Sequence, residues 1–227
     1  MATATIEIPD LYRIDQSFAD TGIKAVRETT ARVLDGSGYC ARTQAGQQVA
    51  VCVASRGTHD LKDLVLATIE HLRRSGLNPF ITPAMGSHGG ATGEGQASVL
   101  RGLGITEGET GVPIRASMDV RSLGTVDGGP EVFTAVDALQ ADHIVVINRI
   151  KPHTGFHSDV ESGLCKILAV GLGRQVGAGL VGHVAPHFDH LPGELVAEGD
   201  RRALAGERVG GVDRHDDRPV AVLLDVG

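Results

Sequence analysis

The sequence predicts an α/β fold, namely a parallel β-sheet with helices on both of its faces. Short apolar runs that suit buried strands alternate along the chain with longer segments of helical periodicity. Glycine accounts for 31 of the 227 residues, about twice its average usage, which is typical of a chain with many turns. Aromatic residues make up 3% and tryptophan is absent, so we expect a core built mainly from Val, Leu, Ile and Ala.

The first predicted strand is Val49–Ser55, a short apolar run suited to burial. Arg56-Gly57-Thr58 forms the following loop, and Asp60 is positioned to cap the next helix. That helix is expected to end at Gly76, because glycine suits a helix C-terminus. Its apolar residues fall on one helical face: Leu61, Leu64, Val65, Ile69 and Leu72.

Further strands and helices follow in alternation. Pro79–Met85 is predicted to be a strand that runs directly into the loop Gly86-Ser87-His88-Gly89-Gly90, and Thr92–Leu103 is predicted to be the helix after it. Val132–Leu139 is predicted to be a short helix. Asp142–Asn148 is the clearest buried strand in the chain.

The end of the predicted domain supplies another loop and another helix. The loop is Lys151–Asp159, and Glu161–Val170 is predicted to be the helix. In a parallel sheet the ligand crevice lies at the carboxyl ends of the strands. Arg56, His88 and His153 each follow the end of a predicted strand. We therefore expect these side chains to gather at one edge of the sheet and to form an active site.

Two of these loops carry a histidine, a residue suited to proton transfer near neutral pH. His88 lies between small residues that let backbone and substrate approach the imidazole, and Pro152 stiffens the chain before His153. Two histidines on opposite sides of a substrate suit a racemase, because one removes a proton from one face and the other returns it to the opposite face. The alternatives are a turn histidine at position 88 and an incidental histidine in a rigid loop at position 153.

Several cations are candidates for binding an anion or a cofactor. Arg56, Arg149 and Lys151 suit a phosphate or carboxylate, and the alternative for each is a solvated surface charge. Lys166 is the one lysine in a mostly apolar helical stretch. A partly buried lysine there would act as a nucleophile, whereas a lysine whose stem extends to the surface is the alternative.

The last part of the chain is rich in histidine, a common metal ligand, so a metal site there is one hypothesis. His183 and His187 are four residues apart, but Pro186 between them argues against a regular helix. The zinc-protease pattern H-E-x-x-H is absent. A histidine-based metallohydrolase stays an alternative on this basis.

Charge and composition argue against several classes of function. The formal charge of −7 argues against broad binding to nucleic acid. The three cysteines, Cys40, Cys52 and Cys165, form no C-x-x-C pair and favour a reducing compartment. The N-terminus has no signal-peptide pattern, and no apolar run reaches the roughly 18 residues of a membrane span. The sequence therefore predicts a cytoplasmic protein with no membrane segment.

Two long phrases resemble the nickel-dependent lactate racemase family. They are PAMGSHGGATGEGQ (Pro83–Gln96) and NRIKPHTGF…ESGLCKILAVGLG (Asn148–Gly173), within a resemblance that runs from about Val49 to Gly177. The resemblance implies a Rossmann-like N-terminal domain and an isomerase that racemises or epimerises a 2-hydroxy acid by hydride transfer. The implied cofactor is a nickel-pincer nucleotide, a nicotinate-derived pyridinium mononucleotide that carries nickel and is made by separate cofactor-biosynthesis proteins.

The resemblance also implies a role for each candidate residue. His88 and His153 match the acid/base pair, and Lys166 matches the lysine that tethers the cofactor. Arg56 lies where the family has an arginine that contacts phosphate or substrate, although the string around it differs from that of the best-known racemases. The metal-ligating histidine is expected near position 182, which is a glycine here, and His183 is the candidate one residue later.

Composition and resemblance together divide the chain near residue 175. Residues 1–175 correspond to the N-terminal α/β domain. From Leu168 onward the chain lacks Ile, Lys, Ser, Thr, Asn, Tyr, Met and Cys, a bias that either a frameshift in a GC-rich gene or a fluctuation of composition would produce. We expect residues 176–227 to be an atypical tail, frameshifted or truncated, without the family's C-terminal domain, although its last residues suit a strand. The alternative function is then an inactive N-terminal domain that at most binds a mononucleotide.

Overall fold

The computed structural model describes residues 12–17, 22–55, 58–125, 129–149, 166–180 and 219–225. Its helices are α1 (Val26–Gly36), α2 (Leu61–Arg74), α3 (Gly93–Gly102), α4 (Glu107–Thr110), α5 (Val136–Leu139) and α6 (Arg174–Gly179). Short 3₁₀ segments cover Tyr39–Arg42 and Gly89–Ala91, and a π-helical turn covers Ile167–Gly171. The strands are β1 (Gln48–Val53), β2 (Asn78–Pro83), β3 (Val120–Thr125), β4 (Glu131–Ala135), β5 (His143–Arg149) and β6 (Pro219–Asp225).

The main sheet has the strand order β2-β1-β5-β6. Strand β1 pairs in parallel with β2 on one side and with β5 on the other, which aligns Val51 with Ile81 and with Val145. Helices flank this three-strand parallel sheet, so the predicted Rossmann-like α/β class is confirmed. Strand β6 departs from an all-parallel sheet because it runs antiparallel to β5, with Leu223 aligned with Val145. An antiparallel edge strand is a common addition to such sheets.

Both faces of β1 are covered, which is why its sequence is apolar without alternation. On one face Val49, Val51 and Val53 pack in a cluster with the apolar side of α2. On the other face Ala50 and Cys52 pack in a second cluster with residues of α5 and of the π-helical turn. All five side chains are fully buried. Burial of an aliphatic side chain of this size contributes roughly 1.5–3 kcal/mol, so hydrophobic packing holds the three layers together.

Helix α2 confirms the predicted apolar face, but its N-terminal cap differs from the prediction. Asp60 adopts a left-handed backbone (φ +52°) and its side chain makes no capping hydrogen bond. The predicted cap is wrong because a capping residue needs an extended backbone to aim its oxygen at the first amides of the helix. Gly76, with φ +80°, follows the helix end as predicted. The predicted face is buried throughout, at Leu61, Leu64, Val65, Ile69 and Leu72.

The segment Val132–Leu139, predicted to be one short helix, divides in two. Its first part belongs to β4, which pairs antiparallel with β3 in a separate two-stranded sheet, and only its last residues form the single turn α5. The helix prediction is wrong for β4 because Val132, Phe133 and Thr134 favour extended backbone, and because pairing with β3 is not visible in a local pattern.

Helix α1 was not predicted, and it adds an outer layer that packs on α2. Arg27 of α1 pairs with Glu70 of α2 at 3.3 Å, and Leu34 of α1 is buried. Thr30 and Leu34 are the only buried residues of α1, so this helix contributes little to the core. In the described part of the chain no helix combines the length and the apolar character that crossing a membrane requires.

Candidate active site

The carboxyl ends of β1, β2 and β5 meet at one edge of the sheet, as predicted for the ligand crevice. Val53 at the end of β1 is aligned with Pro83 at the end of β2 and with Ile147 near the end of β5. The loops that follow these strands therefore start from the same edge. Of the predicted site residues, His88 and Lys166 are described, and so is the backbone of Arg149, the last residue of β5. Those outside the described residues are Arg56, Lys151, His153 and His183.

His88 lies in an exposed position of a loop whose backbone is held on both sides. The buried Gln96 of α3 donates from its Nε2 atom to the carbonyl oxygen of Gly86 at 2.7 Å and to that of His88 at 3.4 Å. The N–H of His88 donates to the carbonyl oxygen of Met85 at 3.1 Å. The loop thus presents an accessible imidazole on a fixed backbone, which proton transfer requires. Sequence reasoning did not single out Gln96.

The same loop contacts the chain segment that begins at Lys166. The N–H of Gly86 donates to the carbonyl oxygen of Gly171 at 3.1 Å. Gly171 itself has no room for a side chain, because a Cβ atom there would lie 2.6 Å from the carbonyl oxygen of Ala84. Lys166 is exposed, while Ile167–Gly171 are buried. The exposure of Lys166 agrees with the alternative in which the lysine extends to the surface, and its tethering role stays a prediction.

Close packing between the His88 loop and α3 depends on Gly95. A Cβ atom at this position would overlap the carbonyl oxygen of Gly89 and would lie 2.8 Å from Thr92 Oγ1. The Thr92 hydroxyl cannot move away without loss of the α3 cap, since it accepts a hydrogen bond from the N–H of Gly95 at 3.1 Å. Any side chain at position 95 would therefore push the loop away from α3 or shift the start of the helix.

We expect Gly95→Ala to lower the free energy of unfolding by about 1–3 kcal/mol, because the extra methyl group meets backbone that can yield only by moving. The matched control is Gly102→Ala, since Gly102 lies in the same helix with no atom within 4 Å of an added Cβ. That change should leave stability unaltered or raise it by up to about 1 kcal/mol. Urea unfolding of both variants measures the difference. Equal stability of the two would contradict the described packing of the loop.

Arg174 is a buried cation beneath this edge that sequence reasoning missed. Its side chain is fully buried. One terminal nitrogen, Nη1, donates to the Pro83 carbonyl and to Gln96 Oε1 (2.8 Å), while Nη2 donates to Thr82 Oγ1 at 2.8 Å. The guanidinium thus joins the end of β2 to the glutamine that holds the His88 loop. The signal in the sequence was a single charged residue directly after the apolar segment Leu168–Gly173. A charged residue that is buried in the protein interior is almost always paired.

The electrostatic surroundings of Arg174 combine burial with one nearby carboxylate. Burial lowers the pKa of Arg174, while the Cys52 and Asp137 groups act in the opposite direction. Asp137 Oδ2 lies 4.0 Å from Nη2. Burial also raises the pKa of the Cys52 thiol to about 12, and Arg174 offsets this only in part. Cys52 is therefore neutral and unreactive in the folded protein at any ordinary pH.

The raised pKa of Cys52 predicts a loss of stability at high pH. Below pH 9 the thiol is neutral in both the folded and the unfolded chain, so it does not change the free energy of unfolding. Between pH 9 and pH 12 the unfolded chain releases the thiol proton and the folded chain does not, so the free energy of unfolding falls with rising pH. The expected contribution is up to about 1.4 kcal/mol per pH unit. Urea unfolding from pH 8 to pH 11 should show a steeper decline for the native chain than for Cys52→Ala, and parallel slopes would contradict the assignment.

The loop between β1 and α2 contains an unsatisfied hydroxyl group at this edge. The Thr58 hydroxyl oxygen is buried and has no hydrogen-bond partner among the residues that the structure describes. It lies just before α2, whose first turn has no side-chain cap. No group of three or more His, Cys, Asp or Glu side chains within the described ranges is arranged to hold a metal ion. The predicted metal ligand, His183, is outside those ranges.

Comparison with known proteins does not assign the chain to a family. No family model matches it, and no curated protein or solved structure matches it either.

Proposed function

We propose that the carboxyl edge of the sheet binds a nickel-pincer nucleotide and racemises or epimerises a 2-hydroxy acid. The observation that carries this proposal is the hydrogen bond from the N–H of Gly86 to the carbonyl oxygen of Gly171. Gly86 belongs to one of the two phrases that resemble the racemase family, and Gly171 belongs to the other. These phrases are distant in sequence yet in direct contact in the fold, as two parts of one site must be.

Two features of this edge fit a lysine-tethered mononucleotide. The N-terminus of the helix after the first strand is where a phosphate group binds in Rossmann-like folds, because free amides and the helix dipole point toward it. Here that helix is α2, its first turn is uncapped, and the buried Thr58 hydroxyl beside it lacks a partner among the described residues. Lys166 is exposed beside the buried turn that contacts the His88 loop, so its amine is accessible for a covalent tether.

The residues of the chain supply proton transfer at this site. When bound, the nucleotide supplies a hydride acceptor for the carbon that carries the substrate hydroxyl. An imidazole nitrogen of His88 accepts the hydroxyl proton as that carbon is oxidised, and returns it on reduction. Gln96 and Arg174 act through the backbone of the loop by keeping it in one position. His153, which we propose acts on the opposite face, lies outside the described residues.

The test of this function is a chiral assay on protein produced together with the cofactor-biosynthesis proteins. Single stereoisomers of lactate, malate and a sugar acid are incubated with the protein, and the products are separated by chiral chromatography. We expect the opposite stereoisomer to form from at least one of these acids. A preparation that contains nickel and the nucleotide but isomerises none of them would contradict the proposal, and would favour a chain that only binds the mononucleotide.

A further inference from the structure

A chain of three hydrogen-bonded side chains lies outside the candidate active site, where α1 and the 3₁₀ segment Tyr39–Arg42 pack on α2. Cys40 Sγ is 3.2 Å from His71 Nε2, and His71 Nδ1 is 3.0 Å from Asp35 Oδ1. His71 is in the last turn of α2, which starts at the carboxyl edge of the sheet and runs back toward the opposite edge. The three residues are therefore at the other end of the domain from His88.

The hydrogen bonds of His71 determine where its proton lies. A carboxylate only accepts hydrogen bonds, so the Nδ1 atom of His71 carries the proton that it donates to Asp35. With Nδ1 as the donor, Nε2 is the acceptor atom of this tautomer, and it faces the sulfur of Cys40 at 3.2 Å. Nucleophile, base and orienting carboxylate thus occur in the order that activates a cysteine.

The environment of Cys40 suits reaction with a small molecule. Cys40 is partly exposed. His71 has 5% exposure and is held in place as part of helix α2. The Asp35 side chain is 63% exposed, so it can be replaced without opening the core. Cys52 provides an internal contrast, because it is fully buried and burial raises its pKa to about 12. A partly buried thiol admits a small neutral oxidant more readily than a bulky disulfide.

We propose that Cys40 is a peroxide-reactive cysteine that is converted to a sulfenic acid with His71 as the proton carrier. The thiol proton moves to His71 Nε2, and the sulfur attacks one oxygen of a hydroperoxide. An S–O bond forms as the O–O bond breaks, and His71 passes its proton to the departing oxygen. The products are the Cys40 sulfenic acid and water, or an alcohol from an organic hydroperoxide. Sulfur loses two electrons and the peroxide gains them.

The experiment measures the rate at which hydrogen peroxide oxidises Cys40 in the full-length protein. A cyclic diketone traps the sulfenic acid, and peptide mass spectrometry quantifies the label separately at Cys40 and Cys52. A synthetic peptide of residues 36–46 supplies the rate of the same cysteine without the fold. We expect Cys40 in the protein to react at least about tenfold faster than the peptide. Cys52 should remain unlabelled.

Two variants test the roles of the neighbouring side chains. His71→Gln should reduce the rate at Cys40 to about that of the peptide, and Asp35→Asn should give a rate between those of the native protein and the peptide. Since Asp35 is exposed, its variant gives a result on folded protein even if the His71 variant does not fold. The proposal is overturned if Cys40 in the native protein reacts no faster than the peptide, or if Asp35→Asn leaves the rate unchanged.

Discussion

Replacing Arg174 with methionine is expected to lower the free energy of unfolding by about 3–5 kcal/mol, because the change leaves several buried oxygens without a donor. Gln96 Oε1 and Thr82 Oγ1 each accept a hydrogen bond from this guanidinium at 2.8 Å, and the Pro83 carbonyl accepts another. Methionine fills a similar space but donates no hydrogen bond. Substituting an entire buried ion pair with apolar groups can be neutral, but here the polar partners would remain.

The Arg174 variant has a matched control and an intermediate form. Arg101→Met makes the same chemical change at an exposed position of α3 and should alter stability by no more than about 0.5 kcal/mol. Arg174→Lys keeps the charge but lacks the fork of donors, so its stability should fall between those of the native protein and the methionine variant. Urea unfolding measures all three. A methionine variant as stable as the Arg101 control would show that the guanidinium does not hold this edge together.

Replacing His88 with asparagine is expected to lower the rate of 2-hydroxy acid isomerisation about 100-fold or more, because the site loses the imidazole that carries the hydroxyl proton. The change should leave the fold intact, since His88 is exposed and Gln96 binds the main-chain oxygens of Gly86 and His88, which the substitution keeps. Ser87→Ala is the control, as Ser87 is exposed in the same loop. The chiral assay compares the three proteins at equal cofactor content. Equal rates for His88→Asn and the control would remove His88 from the mechanism.

Strands and the main helix were predictable because their signals are local. The apolar run at Val49–Ser55 and the face of α2 depend on residues close in sequence, and the structure confirms both elements to within a few residues. The convergence of β1, β2 and β5 followed from the same patterns, since parallel strands must end at the same edge. Strand β4 and helix α1 were missed because one depends on pairing with β3 and the other on packing against α2.

The residues that support the candidate site were not predictable, because they depend on contacts between segments that are distant in sequence. Arg174 looks like an ordinary charged residue in the sequence, and only the fold shows that it is enclosed beside Thr82 and Gln96. Gln96 looks like a surface residue of α3, yet it is fully buried and donates to the His88 loop. His88 was predictable from the small residues next to it in the sequence. The residues that position its loop are recognised only once the fold brings distant segments together. Asp60 shows the opposite error, in which a local capping rule failed because the backbone before α2 is left-handed.

The most direct test of the proposed site is the intact mass of the protein after production with the cofactor-biosynthesis proteins. We expect one covalent adduct with the mass of the pincer nucleotide, and peptide mass spectrometry should locate it on Lys166. Because the family resemblance implies one tethered nickel nucleotide, we also expect about one nickel per chain. Lys166→Ala should lack the adduct, while replacement of the exposed Lys24, which precedes α1, by alanine should retain it. A native chain with neither adduct nor nickel, made in a host shown to load another enzyme of this cofactor class, would contradict the proposed function.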